Sequence, residues 1–471
     1  MDDRVVLPHF SGDVQASSRI MVPFEGEGEG VEELSWGQME LWGGMRRRGT
    51  WMPVGYALPV APGTTVAEVV AELRFALGRY QPMRTRLRFE SDGRTRQVVS
   101  RRGEVALEVV DVRDDGDPAQ VAELVRRRFW DSAYDFVNEW PVRAAVVRHR
   151  GLVVHRVMVM CHLVTDGFGA LVMWRELSER GSDPGSAGVS LTAMQPMQQA
   201  RWQRSPAGRR QCAAALRYWE RVLRSMPAGL LADGGAAQRP RHWSARLTSR
   251  AMYEALIVLA ARMRSDTSPL LLGVFVTAWA RATGKDAVVT RVVVNNRFRP
   301  GLGESVSQVA QTGLCAVDLA GLSLDDALSR VRRRAMAAYK HAYYDPEQME
   351  ELVERVGRER GEELDLGCFY SDRRLLDRDP SVGVRVPVER EVLAALPQTT
   401  FRWESKGDEP SERLFVFINP ADGVVDISVF GDTEYVSPAR MEACVRGMEA
   451  VAVAAAFEPT AAALPGVSAE A

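Results

Sequence analysis

The chain has 471 residues, 46% of them hydrophobic and 26% charged, and its 60 Lys+Arg against 62 Asp+Glu give a formal net charge of −2. That balance excludes a chain-wide electrostatic footprint for nucleic acid, and no apolar run reaches the about 18 residues that a membrane span needs. The length suits two to three domains of about 150 residues, or two large subdomains sharing one site.

Residues 1–33 hold one short extended run, RIMVPFEG, and then the Glu/Gly alternation of 25–30, which reads as a loop. In LSWGQMELWGGM (34–45), Leu34, Met39, Leu41 and Trp42 cluster with helical spacing. TVAEVVAELRFALGRY (65–80) is a clearer helix, with Val66, Val69, Val70, Leu73 and Leu77 on one face, and QVAELVRRRFWD (120–131) repeats the pattern. Two β-rich runs, 142–150 and 152–162, follow with a single Gly between them, and then a helix over 168–181. The Gly/Pro/Ser stretch 181–190 marks the expected boundary between subdomains of 1–180 and 181–460. Beyond it the pattern predicts helices near 208–225, 250–264 and 269–284, a strand over 286–296 and a helix over 324–344. Strands over 364–371, 413–420 and 424–431, a helix over 439–457 and a disordered tail over 461–471 complete the reading. Mixed elements in two similar halves make an α/β (α+β) chain.

The chemistry narrows by elimination. The chain has no P-loop, no GxSxG elbow, no HExxH and no strand-linked GxGxxG. The cysteines at 161, 212, 315, 368 and 444 are odd in number and never CxxC-spaced, which suits reduced thiols in the cytoplasm, not disulfides or a metal site. The acidic-led N-terminus lacks the apolar core of a secretory signal. Lysines occur only at 285, 340 and 406, an arginine bias that reflects GC-rich coding and carries no recognition chemistry of its own. Of the histidines at 9, 149, 155, 162, 242 and 341, His162 stands out. It ends an apolar strand and is followed by the polar turn Thr165-Asp166-Gly167 and a helix, where folds deliver reactive side chains. Cys161 points to the opposite face of the strand, so a Cys–His dyad is disfavoured, and His155, an odd seven residues earlier, also faces away. Asp166 either orients the imidazole or pairs with an arginine to hold the loop. Gly167 suits a backbone at positive φ or one approached closely by a substrate.

CHLVTDG resembles the HHxxxDG motif of the condensation domains of non-ribosomal peptide synthesis and their chloramphenicol-acetyltransferase-like relatives. The likeness continues in order along the chain. LSWGQMELW is similar to the family's first motif, and LGRYQPMRTRLRFESDGRTRQVV to its RHExLRTxF segment. WPVRAAVVRHRG is similar to the strand ahead of the His motif, and MQQARWQRSP to the segment after it. VVVNNRFRPGLGESVSQVAQTGLCAVDL, AYKHAYYDPEQMEELV and VVDISVFGDTEYVS carry the match toward the C-terminus. Two departures stand out: Cys161 replaces the first His of the motif, and Gln81-Pro82 replace the second motif's His-Glu.

The resemblance implies two chloramphenicol-acetyltransferase-like subdomains forming a V with a central tunnel and His162 midway along it. It implies an acyl- or aminoacyltransferase that joins a thioester, borne on the phosphopantetheine arm of an acyl or aminoacyl carrier protein, to an amine or hydroxyl. The nucleophile is a small molecule or is itself carrier-bound, and no cofactor is permanently held. His162 would act as base or positioner, and backbone N–H near Gly167 would stabilise the oxyanion. Asp166 would face away in a salt bridge with Arg84, Arg143 or Arg297, and Cys161 would play a supporting part. Without adenylation, carrier or thioesterase segments a freestanding enzyme is expected. CoA as donor carrier, or a silent relative that recruits a partner enzyme to a carrier protein, are the competing readings. Trp36, Trp42 and Trp174 read as core aromatics, and the triplets Arg46–Arg48, Arg126–Arg128 and Arg332–Arg334 as solvated faces.

Overall fold

Capping residues set the starts of the N-terminal helices. Ser35 and Gln38 form a reciprocal box, Ser35 Oγ accepting from Gln38 N and Gln38 Oε1 from Ser35 N, and Thr65 and Glu68 repeat it one helix later. The structure, a computed structural model, describes residues 15–182, 191–227, 237–376, 385–408 and 412–464, and the boundary expected at 181–190 falls largely outside them. The chain divides into two units. The first runs to Trp202 and also takes in Arg299–Val309; the second comprises Gln203–Phe298 and everything after Val309. The division therefore comes later than the Gly/Pro/Ser stretch, and a segment distant in sequence returns to the first unit.

In chain order the first unit contains β1 (Ser18–Glu25), β2 (Gly30–Glu33), α1 (Trp36–Arg48), β3 (Pro53–Pro59) and α2 (Val66–Arg79). After these come β4 (Thr85–Phe89), β5 (Thr95–Val99), β6 (Arg102–Val112), α3 (Pro118–Asp131), β7 (Val142–His149), β8 (Leu152–Cys161), α4 (Gly167–Ser182) and α5 (Pro196–Arg204), the last ending just past the division. A five-stranded sheet has the order β1-β6-β7-β8-β3, in which only β6 and β7 are parallel; a three-stranded sheet has the order β2-β5-β4. The β7–β8 hairpin turns through Arg150 and Gly151, both at positive φ (51° and 78°), the conformation a tight two-residue loop requires. β8 carries a bulge opposite Val147 and Arg148, and beyond it the side chains alternate between layers. Met158 and Met160 pack in the layer of α2 and α4, with Leu73, Leu77, Val172 and Met173. Val157, Val159 and Cys161 pack in the layer of α3, with Val125, Phe129 and Trp51.

The second unit contains α6 (Pro206–Ser225), β9 (His242–Ser249), α7 (Arg250–Met263), α8 (Thr267–Thr283), β10 (Ala287–Val294), β11 (Gln311–Asp318), α9 (Leu324–Lys340) and α10 (Pro346–Arg360). It continues with β12 (Cys368–Asp372), α11 (Glu389–Ala395), β13 (Thr400–Gly407), β14 (Leu414–Asn419), β15 (Val425–Asp432) and α12 (Pro438–Phe457). Its seven-stranded sheet has the order β11-β10-β12-β14-β15-β9-β13 and mixes parallel and antiparallel pairs. α8 is buried on every side from Leu270 to Ala280, as befits a helix apolar all round, and α7, α9 and α12 pack against it. Both units are thus mixed α/β layers built on a sheet, the fold class read from the sequence. Two details differ from that reading. α9 stops at Lys340, because α10 begins on its own cap, Asp345. The tail is not disordered from 461: Leu324 N donates to Ala461 O, Ala463 N donates to Leu322 O, and Ala463 is fully buried.

Candidate functional site

β8 ends at Cys161, whose N–H donates to Pro141 O, and the chain turns at once, Val164 N donating back to Cys161 O at 2.9 Å. His162, half-buried, sits on this turn with Nδ1 3.0 Å from the carbonyl oxygen of Thr165. A carbonyl only accepts, so Nδ1 carries the proton and the lone pair of the neutral ring lies on Nε2. Thr165 was unremarkable in the sequence. It fixes the tautomer through its main chain, which no residue pattern encodes.

Asp166 is the N-cap of α4. One carboxylate oxygen accepts from Gly169 N at 2.9 Å, the other accepts from Val309 N at 3.0 Å, and Asp166 N donates to Ser307 O at 3.4 Å. The group is 5% exposed. It therefore joins the start of α4 to the returning segment 299–309. That segment is held in turn by Gln199 of α5, whose Nε2 donates to Met194 O, Ser305 Oγ and Ser307 Oγ at 2.8–2.9 Å. Ser305 and Ser307 hydroxyls lie 2.7 Å apart, and all three side chains are at most 1% exposed. On the other flank Gly37 admits the main chain of the same segment: a Cβ there would lie 2.3 Å from Gln308 O. The first motif of the sequence thus has a physical basis, a capping box at Ser35 and Gln38 and, inside it, a glycine that lets residue 308 approach α1.

Gly167 opens α4. It is not at positive φ, so the conformational reason expected for this glycine does not apply. It is exposed, and a Cβ would meet no protein atom within 4 Å. At the first position of the helix its N–H has no intrahelical acceptor and lies at the positive end of the dipole.

Cys161 belongs to the opposite layer. It is 1% exposed, its Sγ is 3.6 Å from Trp51 O, and burial pushes its thiol up to about 12. A thiol so rarely ionised is a poor nucleophile.

Arg84 and Arg143, two of the arginines considered for Asp166, are committed elsewhere. Arg84, fully buried, donates to the carbonyls of Gly28 (2.8 Å), Ser100 (2.6 Å) and Glu27, so it clamps the Glu/Gly loop. Arg143 caps the C-terminal end of α3 through Phe129 O (2.7 Å) and Ala133 O (2.5 Å), pairs with Glu139 at 2.9 Å and lies over the Trp51 ring. Arg297 belongs to the second unit, buried just after β10, with its N–H on Asn295 Oδ1. Trp36 is buried as expected; Trp42 and Trp174 are only partly so, Trp42 donating to Thr95 Oγ1 and Trp174 lying under the Arg156 guanidinium. The triplet 126–128 is not simply solvated: Arg126 and Arg127 pair with Glu123, and Arg128 with the buried Glu108. Among the described residues no helix is long and apolar enough to cross a membrane.

Comparison with known proteins places this arrangement. The chain is 29% identical over 290 residues to the cyclosporin synthetase of Tolypocladium inflatum, covering 58% of this chain and 2% of that protein. It is 26% identical over 352 residues to the phosphinothricin tripeptide synthetase of Streptomyces viridochromogenes, covering 67% and 30%. The chain thus spans less than a third of the length of these relatives. Its fold matches the first condensation domain of the calcium-dependent antibiotic synthetase, solved with a substrate analogue, at a TM-score of 0.68 and 16% identity over 92% of this chain and 98% of that one. The X-domain from teicoplanin biosynthesis matches equally (TM-score 0.68, 16% identity, 94% and 99%), and that X-domain has also been solved in complex with OxyB (TM-score 0.67, 16% identity, 93% and 96%). The family profile described as Condensation domain matches residues 64–364, the stretch that carries His162, Asp166 and Gly167. The chain belongs to the condensation-domain family.

Proposed function

We propose that the protein transfers an acyl or aminoacyl group from a carrier-bound thioester to an amine or hydroxyl nucleophile, with His162 at the reacting centre. The observation that carries this reading is the tautomer lock on His162. With Nδ1–H held by Thr165 O, Nε2 is left with the lone pair that accepts the nucleophile's proton or orients the nucleophile. The nucleophile adds to the thioester carbonyl, and the tetrahedral intermediate collapses with loss of the thiolate, which takes up a proton. Gly167 N–H, exposed at the positive end of α4 with open space in place of a side chain, suits the developing oxyanion. Asp166 acts through position: as cap of α4 and anchor of Val309 it sets where residues 162–167 lie. The donor is a phosphopantetheine thioester on a carrier protein.

The fold match to an X-domain solved with OxyB supports a second reading, in which the chain binds a partner protein and performs no transfer. One experiment separates them. Purified protein is given an acyl-loaded carrier, or in a parallel arm an acyl-CoA, with a panel of amines and alcohols, and product is followed by mass spectrometry. His162→Ala should fold and bind the loaded carrier yet lose about 10²-fold or more in turnover, the usual span for an acid–base group, while Cys161→Ala keeps most of it. If wild type forms no product while the carrier still binds, or His162→Ala turns over normally, the transferase reading is wrong. Turnover with acyl-CoA and none with the carrier would replace the carrier as donor.

A further inference from the structure

One arginine-rich face is not an even mixture of charges. α6 carries Arg210, Ala214, Arg217, Arg221 and Arg224 at alternating steps of four and three, which aligns them in one stripe along the helix. Beside the middle of that stripe, where α9 ends, His341 completes a groove of about 410 Å³ lined by Ala214, Arg217, Glu220, Arg221, Arg224 and His341. The groove falls within the range of small-molecule pockets, about 300–1,000 Å³. The imidazole lies flat on the Tyr218 ring, centroids 4.7 Å apart and planes inclined by 16°, and the Tyr218 hydroxyl donates to Leu314 O at 2.9 Å, so this wall is fixed.

The charges in and around the groove do not cancel. Glu220, the one acid in the lining, is engaged by Arg224 at 2.9 Å and Arg355 at 3.1 Å, and the same two arginines take Glu359 at 2.7 and 3.2 Å. Two carboxylates thereby neutralise two guanidinium groups. Arg217 and Arg221 have no carboxylate partner among the described residues, and neither does Arg334 of α9. Burial holds the Tyr218 hydroxyl well above its ordinary pKa, and the charges of Arg334 and Arg221 pull against it, which sets both groups close to the same wall. Like charges four residues apart on a helix destabilise it, so Arg217 and Arg221 cost stability unless something negative lies between them.

We propose that this groove of the second unit is an anion site for a small phosphate-bearing molecule with two or more negative charges. Guanidinium forks match pairs of phosphate oxygens, and α6 lines the groove with three of them while His341, at the end of α9, closes the other side. The charge is gathered round a concavity with a planar imidazole in its wall, which fits a compact polyanion attached to an organic body better than a flat acidic protein surface.

The test is binding to the full chain, so its result stands whether or not His162 transfers an acyl group. The melting temperature is followed while sodium pyrophosphate, sodium phosphate or sodium chloride is added at matched ionic strength, and pyrophosphate affinity is measured by calorimetry. Pyrophosphate should give a saturable rise, larger than phosphate, with chloride nearly flat. The doubly substituted Arg217→Gln, Arg221→Gln protein, altered only at exposed positions, should lose about tenfold or more in affinity, while Arg210→Gln, on the stripe but outside the groove, should titrate like wild type. The proposal is overturned if chloride reproduces the pyrophosphate rise, if the double variant binds unchanged, or if a heptaglutamate peptide binds more tightly than pyrophosphate, which would mark an acidic-protein docking face.

Discussion

Substituting Asp166 tests the architecture around His162 most directly, because each carboxylate oxygen has its own backbone donor. Asp166→Ala removes the N-cap of α4, a loss of about 0.5–2 kcal/mol. It also strands Val309 N–H, now 3.0 Å from that carboxylate, in a buried setting, at a further cost of about 1–3 kcal/mol. Together these give about 1.5–5 kcal/mol, and for a unit of this size a fall in melting temperature of roughly 3–20 °C. Asp166→Asn is the informative companion. Its amide oxygen can still accept from one N–H, but its NH₂ group must face the other, donor against donor. It should therefore retain the cap and lose about 1–2 kcal/mol. Differential scanning calorimetry of the three proteins gives the ranking wild type, Asn, Ala. His162→Ala, which removes a half-buried ring from a turn and leaves both core layers intact, should melt close to wild type. An Asp166→Ala protein that melts within about 1 °C of wild type would refute the anchoring argument, and lost activity in such a protein would point to direct chemistry by the carboxylate.

Other substitutions probe the same neighbourhood. Gln199→Leu, similar in size, removes the amide donor shared by Met194 O and two buried hydroxyls, which keep only their bonds to one another, and should cost about 1–2 kcal/mol in urea unfolding. Gly37→Ala forces a Cβ to within 2.3 Å of Gln308 O and should cost about 1–3 kcal/mol, whereas Gly43→Ala on the same helix, whose Cβ meets only the far end of Arg47 at 3.3 Å, should be neutral or stabilising. Burial pushes the thiols of Cys161, Cys315 and Cys368 up to about 12 and that of Cys212 up to about 11. Groups raised on folding stabilise fully below their unfolded pKa, about 8.5, and lose that contribution as pH climbs through the folded value. Unfolding midpoints should therefore drop between about pH 9 and 11, and a thiol reagent at pH 8 should label the native chain slowly and the unfolded chain at once.

The parts of the fold legible in the sequence are those whose residues settle their own geometry. α2 shows its buried stripe and its Thr65–Glu68 box, and β7 and β8 are long β-branched runs around a tight turn. The elements that went unread lack that redundancy. β3 has proline at both ends and glycine inside, and it survives as an edge strand paired only with β8. β13, an edge strand of the large sheet, is mostly polar, and β9 (HWSARLTS) carries an arginine at its centre whose role shows only in its bond to Asp426 of β15. α10 buries only Met349, Leu352 and Val356, a stripe too narrow to stand out among its charges. The site divides in the same way. His162 and the cap at Asp166 follow from a strand, a turn and a helix in succession. The carbonyl of Thr165, the N–H of Val309 and the return of residues 299–309 to the first unit are main-chain and long-range facts that leave no local signature.

This division changes what the motif can be evidence for. Retention of Asp166 and Gly167 in CHLVTDG is not by itself evidence for catalysis. The Asp166 carboxylate caps α4 and holds Val309, so a chain that only binds a partner needs it as much as an enzyme does. The position of Cys161 is uninformative for a related reason: its side chain lies in the layer of Trp51 and α3, where a small apolar group suffices. His162 is different. Its ring is only half-buried, contributes little to either core layer, and is nevertheless fixed in one tautomer by Thr165. It is on His162, not on Asp166 or Gly167, that the case for group transfer rests, and turnover by His162→Ala decides it.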